Sequence, residues 1–155
     1  MKSLIHVKFT LALACLVFLV SCSDENEPPK KDAEIIGSGI AWKLSSATAN
    51  GASIISLIKA CMQDNLVTFN YETPISIGVL DAGADKCEVN EPQTVDFSWD
   101  YNESTKILSV DTESIEVPGS QGDLKVESVT STELVLSQNI LYSGLTQKVI
   151  LTLVH

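Results

Sequence analysis

The sequence predicts an all-β fold of about eight short antiparallel strands. Three observations carry that prediction. Thr94 to Tyr101, TVDFSWDY, alternates strictly. Val95, Phe97, Trp99 and Tyr101 share one face and Thr94, Asp96, Ser98 and Asp100 the other, the pattern of a half-buried antiparallel strand. Clusters of Asn, Gly, Ser, Pro and Asp punctuate the chain between stretches of this kind. Only Ser53 to Met62, SIISLIKACM, spaces its apolar residues as a helix would, at Ile54, Leu57, Ile58 and Cys61.

The first element is not part of that fold. Lys2 and Lys8 give a positive start, Phe9 to Val20 is apolar, and the small Ser21 precedes Cys22. A bilayer-spanning helix needs roughly 20 apolar residues, so this shorter run reads as the core of a cleaved secretory signal over residues 1–21. Leu19-Val20-Ser21-Cys22 resembles the bacterial lipobox. That resemblance implies cleavage before Cys22 and lipid on its sulfur and its new amino group; the alternative is an ordinary signal peptide with an incidental cysteine.

Polarity then changes abruptly. Ser23-Asp24-Glu25-Asn26-Glu27-Pro28-Pro29-Lys30-Lys31 has no apolar surface to set against the entropy of ordering it, and its diproline stiffens it. Residues 22–35 are therefore expected to form a disordered acidic tether, with residues 36–155 as one folded domain. The acid right after Cys22 resembles the signal with which Bacteroidota export lipoproteins to the outer face of the outer membrane. A solvated linker facing the periplasm is the other reading.

Strand candidates follow in order. Ile40 to Ala47 is bounded by Asn50-Gly51, Leu66 to Asn70 and Ile75 to Leu80 are separated by Thr73-Pro74, and Thr94 to Tyr101 turns at Asn102-Glu103-Ser104-Thr105 into Lys106 to Val110. Pro118-Gly119-Ser120-Gln121-Gly122-Asp123 is a strong breaker. Beyond it, LKVESVTSTELVLSQ gives two strands either side of Ser131-Thr132, and QKVILTLVH a last one with Val149, Leu151 and Leu153 on one face. Ser53 to Met62 is expected as a short helix or irregular lid after the first strand, although the β-branched Ile54-Ile55 pair also suits a continued hairpin. Strands of this length and spacing fit either a β-sandwich or an up-and-down barrel.

Composition narrows the function. Loss of the signal removes Lys2 and Lys8 and no acid, leaving eight lysines against twenty acids, a formal charge of −12. There is no arginine, so the bidentate fork that reads phosphate is missing, no basic cluster replaces it, and nucleic acid is not expected as a partner. His6 leaves with the signal, so His155, the last residue, is the remaining histidine, and no Ser-His-Asp or Cys-His constellation can be assembled. Asp96 and Asp100 could serve as paired carboxylates, but they lie opposite the aromatic face and are expected in water. Asp81, Asp85 and Glu88 lack the order of a calcium loop, and Asn102-Glu103-Ser104 reads as a turn despite matching a glycosylation sequon. Neither a catalytic residue nor a metal site nor a cofactor is expected.

Cysteine usage gives one covalent expectation. Cys15 is lost with the signal and Cys22 is taken by lipid, which leaves Cys61 and Cys87 as an even pair in an oxidising compartment, expected to form a disulfide.

AWKLSSA, ACMQDNLVTFN, the lone downstream Cys87, FSWDYNESTKILSV and VESVTSTELVLSQ with a final strand together resemble the lipocalin-like lipoproteins of Bacteroidota, in order over most of residues 36–154. The resemblance implies an antiparallel up-and-down barrel of the calycin type. Two departures stand out. The Gly-x-Trp of true lipocalins is here Gly39-Ile40-Ala41-Trp42, one residue longer, and the arginine that packs on that tryptophan is absent.

Two functions fit these observations. The first is a lipid-anchored, monomeric, non-enzymatic envelope protein whose barrel binds a small apolar or amphipathic ligand, with Trp42, Phe69, Phe97, Trp99 and Tyr101 as candidate lining. The second is a solid-core barrel that meets another envelope protein or a glycan through its outer surface.

Overall fold

The structure, a computed structural model, describes residues 31–72, 75–111 and 122–155. Among these residues nine strands run in the order β2-β1-β3-β4-β5-β6-β7-β8-β9, and an added pairing of β1 with β9 closes the sheet. They are β1 (Ser38–Ala49), β2 (Ala52–Ser53), β3 (Leu66–Asn70), β4 (Ser76–Asp81), β5 (Thr94–Asn102), β6 (Ile107–Asp111), β7 (Gly122–Val129), β8 (Glu133–Tyr142) and β9 (Leu145–Val154). Every neighbouring pair is antiparallel. The result is an eight-stranded up-and-down barrel with the two-residue β2 added beside β1. Of the two architectures the strand pattern allowed, the barrel is the one formed.

Closure depends on β1 being long enough to serve both of its neighbours. Its first part pairs with β3, Ala41 opposite Thr68 and Lys43 opposite Leu66. Its second part pairs with β9, Lys43 opposite Val154 and Ala49 opposite Val149. A bulge between Leu44 and Ser46 bends the strand between these two duties, the local kink that an extra residue produces.

The alternation read from the sequence is the alternation of burial. In β5, Phe97, Trp99 and Tyr101 are buried, while Asp96, Ser98 and Asp100 are exposed. The same rule puts Leu108 and Val110 of β6, Leu124 and Val126 of β7, Leu134 and Leu136 of β8, and Val149, Leu151 and Leu153 of β9 inside. Gly78 of β4 faces Phe97 across the ladder, and the Phe97 ring lies where a Cβ on Gly78 would be.

One barrel end is plugged by α1 (Asp32–Ile36), whose Ala33 and Ile36 are buried. Four polar contacts seat it. The Trp42 indole N–H donates to the Ile36 carbonyl at 3.2 Å, the Ala33 amide to Glu103 Oε1 at 3.1 Å, the Tyr101 hydroxyl to Asp32 Oδ2 at 3.0 Å, and Lys106 Nζ to Asp32 Oδ2 at 2.8 Å. The Lys106 hydrogen bond holds the Asp32 carboxyl below its ordinary range against the opposing effect of burial. Burial, and then the bond to Asp32, pushes the Tyr101 hydroxyl up to about 12.

This helix corrects the expected extent of the tether. Residues 32–35, assigned to it from the sequence, belong to the folded domain, because Ala33 and Ile36 have the barrel floor to bury against. Residues 22–30, Cys22 included, lie outside the described residues, as do Thr73-Pro74 and the Pro118 to Gln121 part of the breaker. The expected lid after the first strand is present as β2, a 3-10 turn (Ile55–Leu57) and α2 (Ala60–Gln63), the turn and α2 clamped together by the Gln63 amide donating to the carbonyls of Ile55 at 3.1 Å and Ile58 at 2.8 Å.

Candidate functional site

Opposite the plugged end, the barrel interior is hollow. A cavity of about 340 Å³ lies among inward-facing residues of all eight barrel strands. Leu44, Val67, Phe69, Leu80 and Val95 supply one side and Val110, Leu124, Leu136, Leu151 and Leu153 the other. That volume falls inside the range of small-molecule pockets, about 300–1,000 Å³. All ten of these wall side chains are hydrocarbon, so nothing in the depth of the cavity satisfies a hydrogen-bonding group.

The cavity exists because side-chain size changes along the strands. On β5 the inward residues run Val95, Phe97, Trp99, Tyr101 from the mouth to the plug. Three aromatics fill the lower barrel and the small Val95 does not fill the upper. Phe69 forms the floor between the two halves. Its ring meets Phe97 edge-on at 5.6 Å between centroids and Trp99 at 5.3 Å.

The mouth is built from α2 and the 82–93 loop. Lys59, Met62, Asn65, Cys87, Glu88, Glu91, Pro92 and Gln93 border it. A disulfide between Cys61 and Cys87, Cα atoms 5.2 Å apart, ties the two segments together as the cysteine count predicted. Around it the loop is held by side chains acting on backbone. Asp64 Oδ2 accepts from the amides of Ala84 at 2.8 Å and Asp85 at 3.1 Å, and Asp81 Oδ1 accepts from the Gly83 amide at 2.9 Å. The Cys87 amide donates to Glu91 Oε1 at 2.8 Å. Asn65, its amide nitrogen turned toward two carbonyls, donates to Ala82 at 3.0 Å and Cys61 at 2.9 Å. The Asp85 amide, with that of Ala84, holds the Asp64 carboxyl below its ordinary range although burial opposes the shift. Gly83 takes φ +71° here, and a Cβ on it would press against Asp64 Oδ2 at 2.6 Å, so this turn requires glycine.

Of the five residues proposed from the sequence as lining, Phe69 borders the cavity. Trp42, Phe97, Trp99 and Tyr101 are buried in the filled half, outside the cavity wall. Trp42 stacks on His155, and Trp99 sits behind Phe69 with its indole nitrogen buried and unpartnered. The aliphatic wall was not singled out from the sequence, although its positions follow the same alternation: Val95 is two residues before Phe97, and Leu44 two after Trp42. Of the acids considered for chemistry, Glu88 borders the mouth and the others are placed elsewhere. Asp96 and Asp100 are exposed on the outer face of β5, and Asp81 organises the loop. Among the described residues, no group of three or more His, Cys, Asp and Glu side chains is arranged to hold a metal ion.

Fold and site together define a closed antiparallel β-barrel, plugged at one end and hollow at the other. Compared with known proteins, the chain matches no family model, no curated protein and no solved structure.

Proposed function

We propose that this chain is a non-enzymatic binding protein that holds a small apolar or amphipathic molecule in the hollow half of its barrel, and that lipid on Cys22 attaches it to the outer membrane. The cavity carries this reading. Its walls are hydrocarbon, its one polar boundary is the mouth, and a site of that kind takes an apolar body and leaves a polar end in water. The likeness to lipocalin-like lipoproteins of Bacteroidota supports the same function, and the lipobox-like run before Cys22 supports the anchor, on the cell surface or facing the periplasm.

The test is a titration of the mature chain with amphiphiles of graded size while tryptophan emission is followed. Trp99 reports through Phe69, the ring between it and the cavity. Saturable shifts that vanish in Val95→Phe, which fills the space, and weaken in Trp99→Phe are expected. Absence of any saturable response would remove the binding reading. For the anchor, Cys22→Ala should release the protein from the membrane fraction; unchanged sedimentation would remove it.

A second reading has one observation of its own. Leu141, Tyr142 and Leu145, at the tip of the β8–β9 hairpin, are 75, 65 and 67 % exposed. An apolar tip on an otherwise acidic protein suits contact with another envelope protein. Cross-linking from a photoreactive residue at position 142 would capture such a partner; loss of ligand binding in the cavity variants would have no effect on it.

A further inference from the structure

Assuming that the cavity is a ligand site, we infer that its ligand is a short amphiphile whose head group bears no negative charge, an ammonium being preferred, with Glu88 at the mouth as its partner. Size sets the tail. At roughly 30 Å³ for each water-sized share of space, 340 Å³ corresponds to about eleven such shares, so a chain of about ten carbons fills it. A cavity of about 150 Å³ is enough for benzene, so this one would take about two fused rings and leave the rest of a larger polycyclic ligand outside.

Charge sets the head. The ionisable groups bordering the cavity are Glu88, Glu91 and Lys59, two carboxylates against one ammonium. Glu91 is committed, since its Oε1 holds the Cys87 amide at 2.8 Å. Glu88 is exposed and, although its backbone carbonyl accepts from the Glu91 amide at 3.2 Å, its carboxylate has no hydrogen-bond or ion-pair partner among the described residues. Behind the mouth, Asp64, Asp81 and Asp85 add negative charge, while Lys43 acts on Asp64 and Lys86 donates to the Glu91 carbonyl at 3.0 Å. A carboxylate seated between these groups would meet a net negative field beside an apolar wall, where charges are screened less than in water. An ammonium there meets the opposite sign and an unpaired acceptor. Fatty acids are therefore the disfavoured amphiphiles and alkylamines the favoured ones.

The experiment compares decylamine, decanol and decanoate, each below its micelle concentration, by calorimetry on the mature chain at neutral pH. The expected order is decylamine, decanol, decanoate, with about tenfold between first and last at low ionic strength. That ratio should shrink as added salt shortens the reach of the field, the Debye length falling from about 30 Å at 0.01 M to about 8 Å at 0.15 M. Glu88→Gln should weaken decylamine severalfold and leave decanol unchanged, and Glu88→Lys should reverse the order of decylamine and decanoate. Decanoate binding as tightly as decylamine, or a decylamine affinity indifferent to Glu88→Gln, overturns the assignment of the head group while leaving the binding site in place. Failure of all three to bind overturns the site itself and this inference with it.

Discussion

The ring of His155 lies against the indole of Trp42, centroids 3.6 Å apart and planes 28° from parallel. His155 Nδ1 is also 3.0 Å from the Ala41 carbonyl, and since a carbonyl only accepts, this nitrogen carries the proton. The imidazole of His155 thus covers one face of the Trp42 indole. Removing the ring in His155→Ala should lower stability by about 0.5–1.5 kcal/mol, the worth of such a ring pair. Urea unfolding at neutral pH measures it, and an unchanged midpoint would show the contact to be idle.

Gly78→Ala should be costly for steric reasons alone. The new methyl would overlap the Phe97 ring, which also meets the Phe69 ring edge-on at 5.6 Å between centroids. Overpacking of this sort costs about 1–3 kcal/mol. Gly78→Ala combined with Phe97→Leu should recover part of that loss; a double variant no better than the sum of its parts would contradict the clash.

Glu127 predicts an acid-dependent part of stability. It is the extra residue where β7 bulges between Val126 and Ser128, which turns it toward β8 and β9. Its carboxylate accepts from Lys148 Nζ at 2.7 Å, Ser137 Oγ at 2.7 Å and Lys125 Nζ at 3.1 Å, and these bonds, that of Lys148 foremost, hold it at about 2 against an ordinary 4.5. A lowered carboxylate stabilises the fold above its unfolded value and loses that contribution as pH falls from about 4.5 through about 2. Discounted for the solvent exposure of the group, Glu127→Gln should cost about 0.5–1 kcal/mol at pH 7. The gap between variant and wild type should close across that acid interval. A gap constant from pH 7 to 2 would mean that the charge plays no part.

Reduction should loosen the mouth before it unfolds the barrel. The Cys61 to Cys87 bridge spans a sequence separation of 26, for which chain entropy gives about 3.5 kcal/mol. A double serine variant should lose about that much in denaturant unfolding, and amide exchange should rise first in the 82–93 loop. Uniform acceleration across all strands would place the bridge's effect elsewhere.

The strands were legible because each carries its own period. β5 shows it most clearly, since its outward positions are Asp, Ser and Asp and its inward ones aromatic. The plug was not legible. DAEII is short and begins with an acid, and nothing local announces that Ala33 and Ile36 have a barrel floor above them. The cavity was hidden for a different reason. Alternation tells inward from outward and is the same for a filled barrel and a hollow one. What decides between them is the size of inward residues that strands far apart in sequence bring to one space, such as Leu44, Val110 and Leu136. The large aromatics drew attention to the half of the barrel that is full.

The seam between β1 and β9 sets an order in time. Ala49 pairs with Val149 and Lys43 with Val154, partners that the chain brings together only across nearly its whole folded length. The hairpins from β3 to β9 join sequence neighbours and have little loop to close, whereas the seam carries the largest closure entropy and should form last. Until it does, the inner edges of β1 and β9 are two unpaired ribbons with their hydrogen-bonding groups exposed, the state most open to wrong partners. A chain halted before Val149 would be left in that state, and a chaperone that shields strand edges during this interval would do more for yield than any gain in the stability of the finished barrel.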